Sequence, residues 1–524
     1  MAPSRPHVRP PTTDDVREYA TRLGLSLSDP EIETYTKLIA SKLGVIRALD
    51  SLPDGETSPI AAVRDRGHPP DSAADPHNAF IRRCTVESSD DGPLSGMTVG
   101  VKDNIAVAGV ELTAGTKALE GYVPSFDATV VTRLLKAGAT VTGKTNLDEL
   151  AVSGSGEPTA TGVIRNPHSD SHLAGGSSGG SAVAVVNGDV DIALGTDQAG
   201  SLRTPASWCG CVGFKPTYGL VPYTGCLPGG PTYDHAGPIT RTVSECADVL
   251  SVLAGPDGRD HRQPFDGPAT VDPVPDDYTV FLEKPVSECS IGVIQEGFGL
   301  EHSEPIVDET VMEAMDAVAD QGADIEEVSI PWHDHGVVIW LGVAWSESAA
   351  LLRDNGQGYY TDGQYFTQYL RKMEEALETR SDEFAPTVKS KLLLGEYLRE
   401  TYGGYYHAKA QNLRGRLCDA YDERLATYDV LALPTTPTTA FERREDLTTT
   451  ELVERAQGKK GRTQNTMPFD MTGHPAITIP CGRDDDGLPI GLMLVGNRFD
   501  DGTVLAVADT LENEIAYDPS PPSH

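Results

Sequence analysis

Two glycine–serine clusters with folded core between them constrain this chain more than any other feature. The first runs Gly175-Gly176-Ser177-Ser178-Gly179-Gly180-Ser181. The second runs Gly195-Thr196-Asp197-Gln198-Ala199-Gly200-Ser201-Leu202-Arg203-Thr204-Pro205. A linker would stay polar between them. Here residues 181–187 read as a short helix of small apolar side chains and residues 191–194 as a strand, so both clusters are turns at the ends of packed elements. Glycine permits positive φ and lets backbone amides approach a ligand, while serine supplies a hydroxyl that can attack or relay a proton. From composition alone three readings stay open: a structural turn, an anion-binding loop and a catalytic loop.

Around these clusters the pattern alternates between strand and helix. Residues 97–101, 139–142, 291–294 and 323–330 read as strands. Helices fall at 129–137, stopped by Gly138, and along the face marked by Val307, Val311, Met315 and Val318. Residues 428–434 and 476–480 return to strand. Repeated βαβ units predict an α/β fold with a central mixed, largely parallel sheet flanked by helices. Four regions follow. Residues 1–78 form an N-terminal helical segment, with Thr13 and Ser28 as caps, and a Pro-, Gly- and Asp-rich linker. Residues 79–331 form the first part of the core, 332–428 a small helical insert and 429–524 the second part of the core.

The chain carries 78 Asp and Glu against 42 Lys and Arg, a net charge of −36, and only 14 of the basic residues are lysine. Such a surface suits a salt-rich cytoplasm, where screening quenches self-repulsion; an acidic mesophile protein is the alternative. It argues against a nucleic-acid partner, which needs a basic stripe. The eight cysteines form no CxxC pair, and Cys209-Gly210-Cys211 reads as a packed turn rather than half a metal site. The N-terminus lacks the apolar core of a signal peptide, and no apolar run approaches the roughly 18 residues of a membrane span. The expectation is a cytoplasmic protein with no membrane partner.

Taken together, Val99-Gly100-Val101-Lys102-Asp103-Asn104, Gly175 to Ser181 and Gly195 to Ser201 resemble the amidase signature family, and the likeness extends from about residue 96 to 509. The resemblance implies a catalytic triad of Lys102, Ser177 and Ser201, whose separations of 75 and 24 residues agree with that family. It also implies a cis peptide between Gly176 and Ser177, and an oxyanion hole from the backbone N–H groups of Gln198, Ala199, Gly200 and Ser201. Gly176, Ser178, Asp197 and Arg203 would support these loops. The chemistry is coherent: serine is inert until a base takes its proton, and lysine is a base only when burial keeps it neutral. One departure is Ala199, where the family commonly has glycine. Either the turn there uses negative φ or the hole is reshaped, which favours Gly200 and Ser201 as donors over Ala199.

Three competing motifs lose on context. Gly175-Gly176-Ser177-Ser178-Gly179 fits a nucleophile elbow, but that fold needs a later acid and histidine, and His474 reads as the start of a strand. Residues 138–145, Gly-Ala-Thr-Val-Thr-Gly-Lys-Thr, match a phosphate loop letter for letter, yet a helix precedes them and a strand occupies them. His333-Asp334-His335 and the pair His168 and His172 read as surface histidines without a third ligand, so no metal or cofactor is expected. Within the family, the runs 197–201, 219–225, 234–238 and 465–470 are similar to broad-range amidases of the type associated with nitrile hydratase. That likeness implies short aliphatic or aromatic primary amides as substrates, acid and ammonia as products, and a homodimer. The alternative is a glutaminase subunit of a tRNA-dependent amidotransferase, with the same catalytic residues. The N-terminal segment and helical insert favour the free amidase.

Overall fold

The computed structural model describes residues 8–52, 58–263, 274–356, 361–456, 462–515 and 517–518. The chain divides into two compact units, 1–56 and 57–524. The first is a helix pair, α1 (Thr13–Arg22) and α2 (Asp29–Ile46), closed around Val16, Ala20 and Ile32. Both helices open with capping boxes, on Ser28 as expected and on Thr12, one residue before the expected Thr13.

The second unit is built on strands β1 (Ala62–His68), β2 (Phe80–Ser88), β3 (Thr98–Lys102), β4 (Thr140–Thr145), β5 (Arg165–Asn166), β6 (Ser169–Leu173) and β7 (Ile192–Asp197). These are followed by β8 (Val212–Lys215), β9 (His235–Thr240), β10 (Ser290–Ile294), β11 (Asp324–Val328), β12 (Val430–Pro434), β13 (Ala476–Arg483) and β14 (Pro489–Gly496). Apart from the β5–β6 ribbon they form one sheet in the order β1-β2-β4-β3-β7-β9-β8-β13-β14-β12-β10-β11. The α/β class and the mixed sheet are as expected, but its balance is not. Parallel pairing is confined to the triplets β4-β3-β7 and β12-β10-β11, and every other pair is antiparallel. The antiparallel members escaped the periodicity because β8 is four residues long, β9 contains Gly237 and Pro238, and β14 is buried along its whole length. The predicted linker also contains a strand. β1 carries Arg64, Asp65 and Arg66 and lies at the sheet edge, where charged side chains guard unpaired backbone groups.

One face of the sheet is covered by α3 (Thr129–Lys136), α6 (Val243–Leu253), α7 (Pro305–Asp320) and α14 (Asp501–Ile515), packed around one large apolar cluster. The opposite face carries α4 (Gly179–Val186) and α5 (Arg203–Cys209), both buried on all sides. Among the described residues, 332–428 carry α8 (His333–Arg353), α9 (Thr367–Thr379), α10 (Pro386–Tyr402) and α11 (Tyr405–Leu425), with a 3₁₀ turn between α9 and α10. Two short helices, α12 (Thr449–Ala456) and α13 (Met467–Thr472), follow. Against expectation, α8 is long and apolar enough to cross a membrane by length and composition. It is a core helix instead: it buries Val343 and Ala344 and also His333, Glu347 and Ser348, which hydrogen-bond inside the protein.

The letter match to a phosphate loop falls on the turn after α3 and on β4, and Lys144 is buried in an ion pair with Asp103 at 2.9 Å. The surface reading of the histidines is corrected in two cases. His333 is buried between Tyr421 and Asn465, and His168 is buried against the Cys209 carbonyl; each fills a hydrogen-bonded core position. His474 is tied to Asp422 and Thr472. Among the described residues no group of three or more His, Cys, Asp or Glu is arranged to hold a metal ion. All eight cysteines are free and buried, and burial pushes the thiols upward, Cys84 to about 11 and Cys481 to about 12.

Candidate active site

β3 and β7 run parallel with Val101 opposite Leu194, so Lys102, one residue further along β3, and Thr196, two further along β7, emerge together at the carboxyl edge of the sheet. Open α/β sheets place their ligand sites at this edge. Lys102 is fully buried, and its Nζ lies 2.7 Å from Ser177 Oγ and 2.9 Å from Thr196 Oγ1. Asn104 Nδ2 donates to the same threonine hydroxyl at 3.0 Å. Burial brings the Lys102 ammonium down to about 7, with Asp148 and Asp197 resisting the fall. Half the lysine is then neutral near neutral pH, the condition for it to accept a proton.

Ser177 follows a cis peptide with Gly176, and Ser178 opens α4. α4 docks through its small residues. Ser181 Oγ sits 2.7 Å from Thr145 Oγ1 and donates to the Leu194 carbonyl, and Ser178 Oγ donates to the Thr196 carbonyl at 3.2 Å. Gly176 lies against the Asp148 carboxyl, where a side chain would collide. The two serine loops are joined directly: the Ser178 amide donates to the Ser201 carbonyl at 3.2 Å.

The loop carrying Ser201 is organised by one carboxylate. Asp197 accepts from the amide of Gly200 and, at 3.1 Å, from that of Leu202. It also accepts from Arg203, whose guanidinium reaches Asp470 at 2.8 Å. Burial would raise the Asp197 carboxyl, yet Arg203 and Lys215 hold it well below the usual range. Asp470 is raised by burial and by Asp197 beside it. The expected oxyanion donors therefore divide. The Gly200 amide is committed to Asp197, which corrects its assignment as an open donor. Among the described residues, the amides of Gln198, Ala199 and Ser201 donate to no protein acceptor. The question over Ala199 also resolves: the positive φ falls at Gly200, at +120°, where a Cβ would collide with Thr466 Oγ1, and Ala199 keeps an ordinary backbone.

Ser201, Gln198 and Ala199 line a cavity of about 290 Å³. Its walls come from the 150–154 turn, from Leu227 to Gly229, and from α8 and α10 of the helical insert. Trp340, Leu341 and Trp345 supply apolar surface. Leu150 and Ala151 hold consecutive positive φ values of 51° and 58° in this wall. Among the described residues, two cations reach the cavity, Lys391 and Arg462, and no carboxylate lines it. Lys391 makes no ion pair among the described residues, and burial pulls it down to about 8. The sequence did not single out Thr196, Asn104, Asp148, Trp340, Lys391 or Arg462. Thr196 and Asp470 lie inside quoted runs and were within reach, whereas tertiary packing alone brings Trp340 and Lys391 to the site.

A family model described as Amidase matches residues 73–505. The chain is 40% identical to the A subunit of glutamyl-tRNA(Gln) amidotransferase from Haloarcula marismortui, over 83% of this chain and 99% of that protein. It is 37% identical to an enantioselective amidase of Rhodococcus rhodochrous, over 98% of this chain and 97% of the relative. Among solved structures, the A subunit of glutamyl-tRNA(Gln) amidotransferase from Thermotoga maritima superposes with a TM-score of 0.68 at 32% identity, covering 86% of this chain and 90% of that one. With this match running through both serine loops and the lysine strand, the chain belongs to the amidase family, enzymes that act on amide bonds.

Proposed function

We propose that the chain hydrolyses small carboxamides to the carboxylic acid and ammonia through an acyl-enzyme on Ser201. The observation that carries this reading is the buried Lys102 amine, 2.7 Å from Ser177 Oγ, under a cavity lined by Ser201. Neutral Lys102 takes the Ser177 proton while Ser177 takes that of Ser201, and Ser201 Oγ bonds to the carbonyl carbon. The amides of Ala199 and Ser201 receive the oxyanion, an interaction whose loss typically costs about 10²–10³ in rate. As the carbon–nitrogen bond breaks, the proton returns through Ser177 to the leaving nitrogen. Water then adds to the ester, gives its proton along the same route, and the acid departs.

Apolar walls at Trp340, Leu341 and Trp345 favour an aliphatic or aromatic amide. The enantioselective amidase likeness supports the same choice, because it spans the N-terminal helices as well as the core. A second reading, the glutaminase subunit of a tRNA-dependent amidotransferase, is favoured by identity, since several relatives of the amidotransferase type match. The cavity bears on the choice. Glutamine carries an ammonium as well as a carboxylate, and among the described residues this lining offers two cations and no carboxylate. The acidic surface makes high salt the natural assay condition. Purified chain at high salt should hydrolyse benzamide or propionamide unaided and run as a homodimer. Turnover of glutamine alone, or activity only with further subunits, establishes the second reading instead.

A further inference from the structure

Three carbonyls of the loop from Gln198 to Ser201 are each held by a group outside it. Trp340 Nε1 of α8 donates to the Gln198 carbonyl at 2.7 Å. Thr466 Oγ1 donates to that of Ala199 at 2.5 Å, and the Thr204 amide to that of Gly200 at 2.7 Å. A trans peptide is planar, with its C=O and N–H pointing in opposite directions. Holding one carbonyl therefore aims the amide of the following residue. The Thr466 bond sets the Gly200 amide, which is spent on Asp197. The Trp340 bond sets the Ala199 amide, which is open. The Trp340 ring is itself clamped, packed against Tyr233 with centroids 5.8 Å apart and inside the cluster on which Ala199 rests.

We infer that Trp340 is a positioning residue for the oxyanion hole: its indole N–H holds the Gln198–Ala199 peptide so that the Ala199 amide faces the substrate carbonyl. This rests on the serine hydrolase reading above and extends it. The helical insert then does more than wall the cavity, because it supplies the hydrogen bond on which one of the open donors depends. It also explains why an alanine serves at position 199. The peptide is oriented from outside, by its carbonyl, and needs no unusual φ.

Trp340→Phe keeps the aromatic wall and removes only the N–H. The expected result, on the amide that the wild type turns over best, is a fall in kcat of about 10- to 100-fold with KM within twofold. Phenylboronic acid, which forms a tetrahedral adduct on serine, should lose affinity by a similar factor, while the carboxylic acid product should bind unchanged. A merely structural role would move the two ligands together. An active wild type with an unchanged Trp340→Phe variant, or equal losses for adduct and product, overturns the role of Trp340 and leaves the hydrolase reading standing. Crystals of the wild-type boronate adduct give a measurement that does not depend on the variant folding. The Ala199 nitrogen should lie about 2.7–3.1 Å from an adduct oxygen with the Trp340–Gln198 bond kept. An adduct oxygen out of reach of that nitrogen removes the inference.

Discussion

The floor of the cavity and its helical cover are held together differently. From Gly175 to Cys209 the floor is almost wholly buried. Ser178 and Ser181 donate to the Thr196 and Leu194 carbonyls, Asp197 accepts from the Gly200 and Leu202 amides, and Arg203 is locked between two carboxylates. The cover, α8 to α11, leaves Val338, Leu393, Tyr397, Tyr405 and Tyr406 exposed. Trp340 ties it to the floor through the Gln198 carbonyl, Ser348 ties it to the cavity wall through the Gly229 carbonyl, and the apolar face of α8 packs on the sheet. A network of fixed dipoles can stabilise charge without reorganising, whereas a surface held at a few points can change its side chains at little cost. On the proposed reading the reacting groups belong to the floor, while the cover supplies the apolar wall and, through Trp340, one bond that holds the floor's loop.

Substitutions in the two regions should separate along that line. Ser201→Ala should lower kcat by about 10⁵- to 10⁶-fold and abolish labelling by a fluorophosphonate; residual labelling at wild-type rate would remove Ser201 from the chemistry. Gly200→Ala forces a side chain into Thr466 at a φ of +120°, and should lower kcat by about 10²-fold or more with a loss of about 1–3 kcal/mol in stability by urea unfolding. Lys391→Met, in the cover, should raise KM about tenfold for an amide bearing a carboxylate and leave a neutral amide unchanged. If it lowers kcat on both alike, the division between floor and cover fails. The smallest effect is on pH. Lys102 must be neutral, so kcat/KM should rise with pH through about 7 and then level off. Asp148 raises the Lys102 pKa, so Asp148→Asn should move this rise to lower pH, and a shift to higher pH contradicts the assigned electrostatics.

The same division explains what could be read from the sequence. Lys102, Ser177, Ser201 and Asp197 sit in short runs whose glycines and serines are dictated locally, so the strand ends and turns around them could be placed within three residues. The commitment of the Gly200 amide was not legible, because it depends on how Asp197 turns back on its own loop. Strands β9 and β14 were missed because a proline or a continuous apolar run hides the alternation of a strand. Lys391 is one lysine on a helix whose spacing says nothing about the cavity it faces 190 positions after the nucleophile.

The sealed cysteines have a practical consequence. With every thiol inside the fold and protonated at ordinary pH, maleimide or iodoacetamide should find no target while the chain stays folded. The rate at which such a reagent is consumed is then a clock for breathing of the native state, readable in any salt concentration and without touching Ser201.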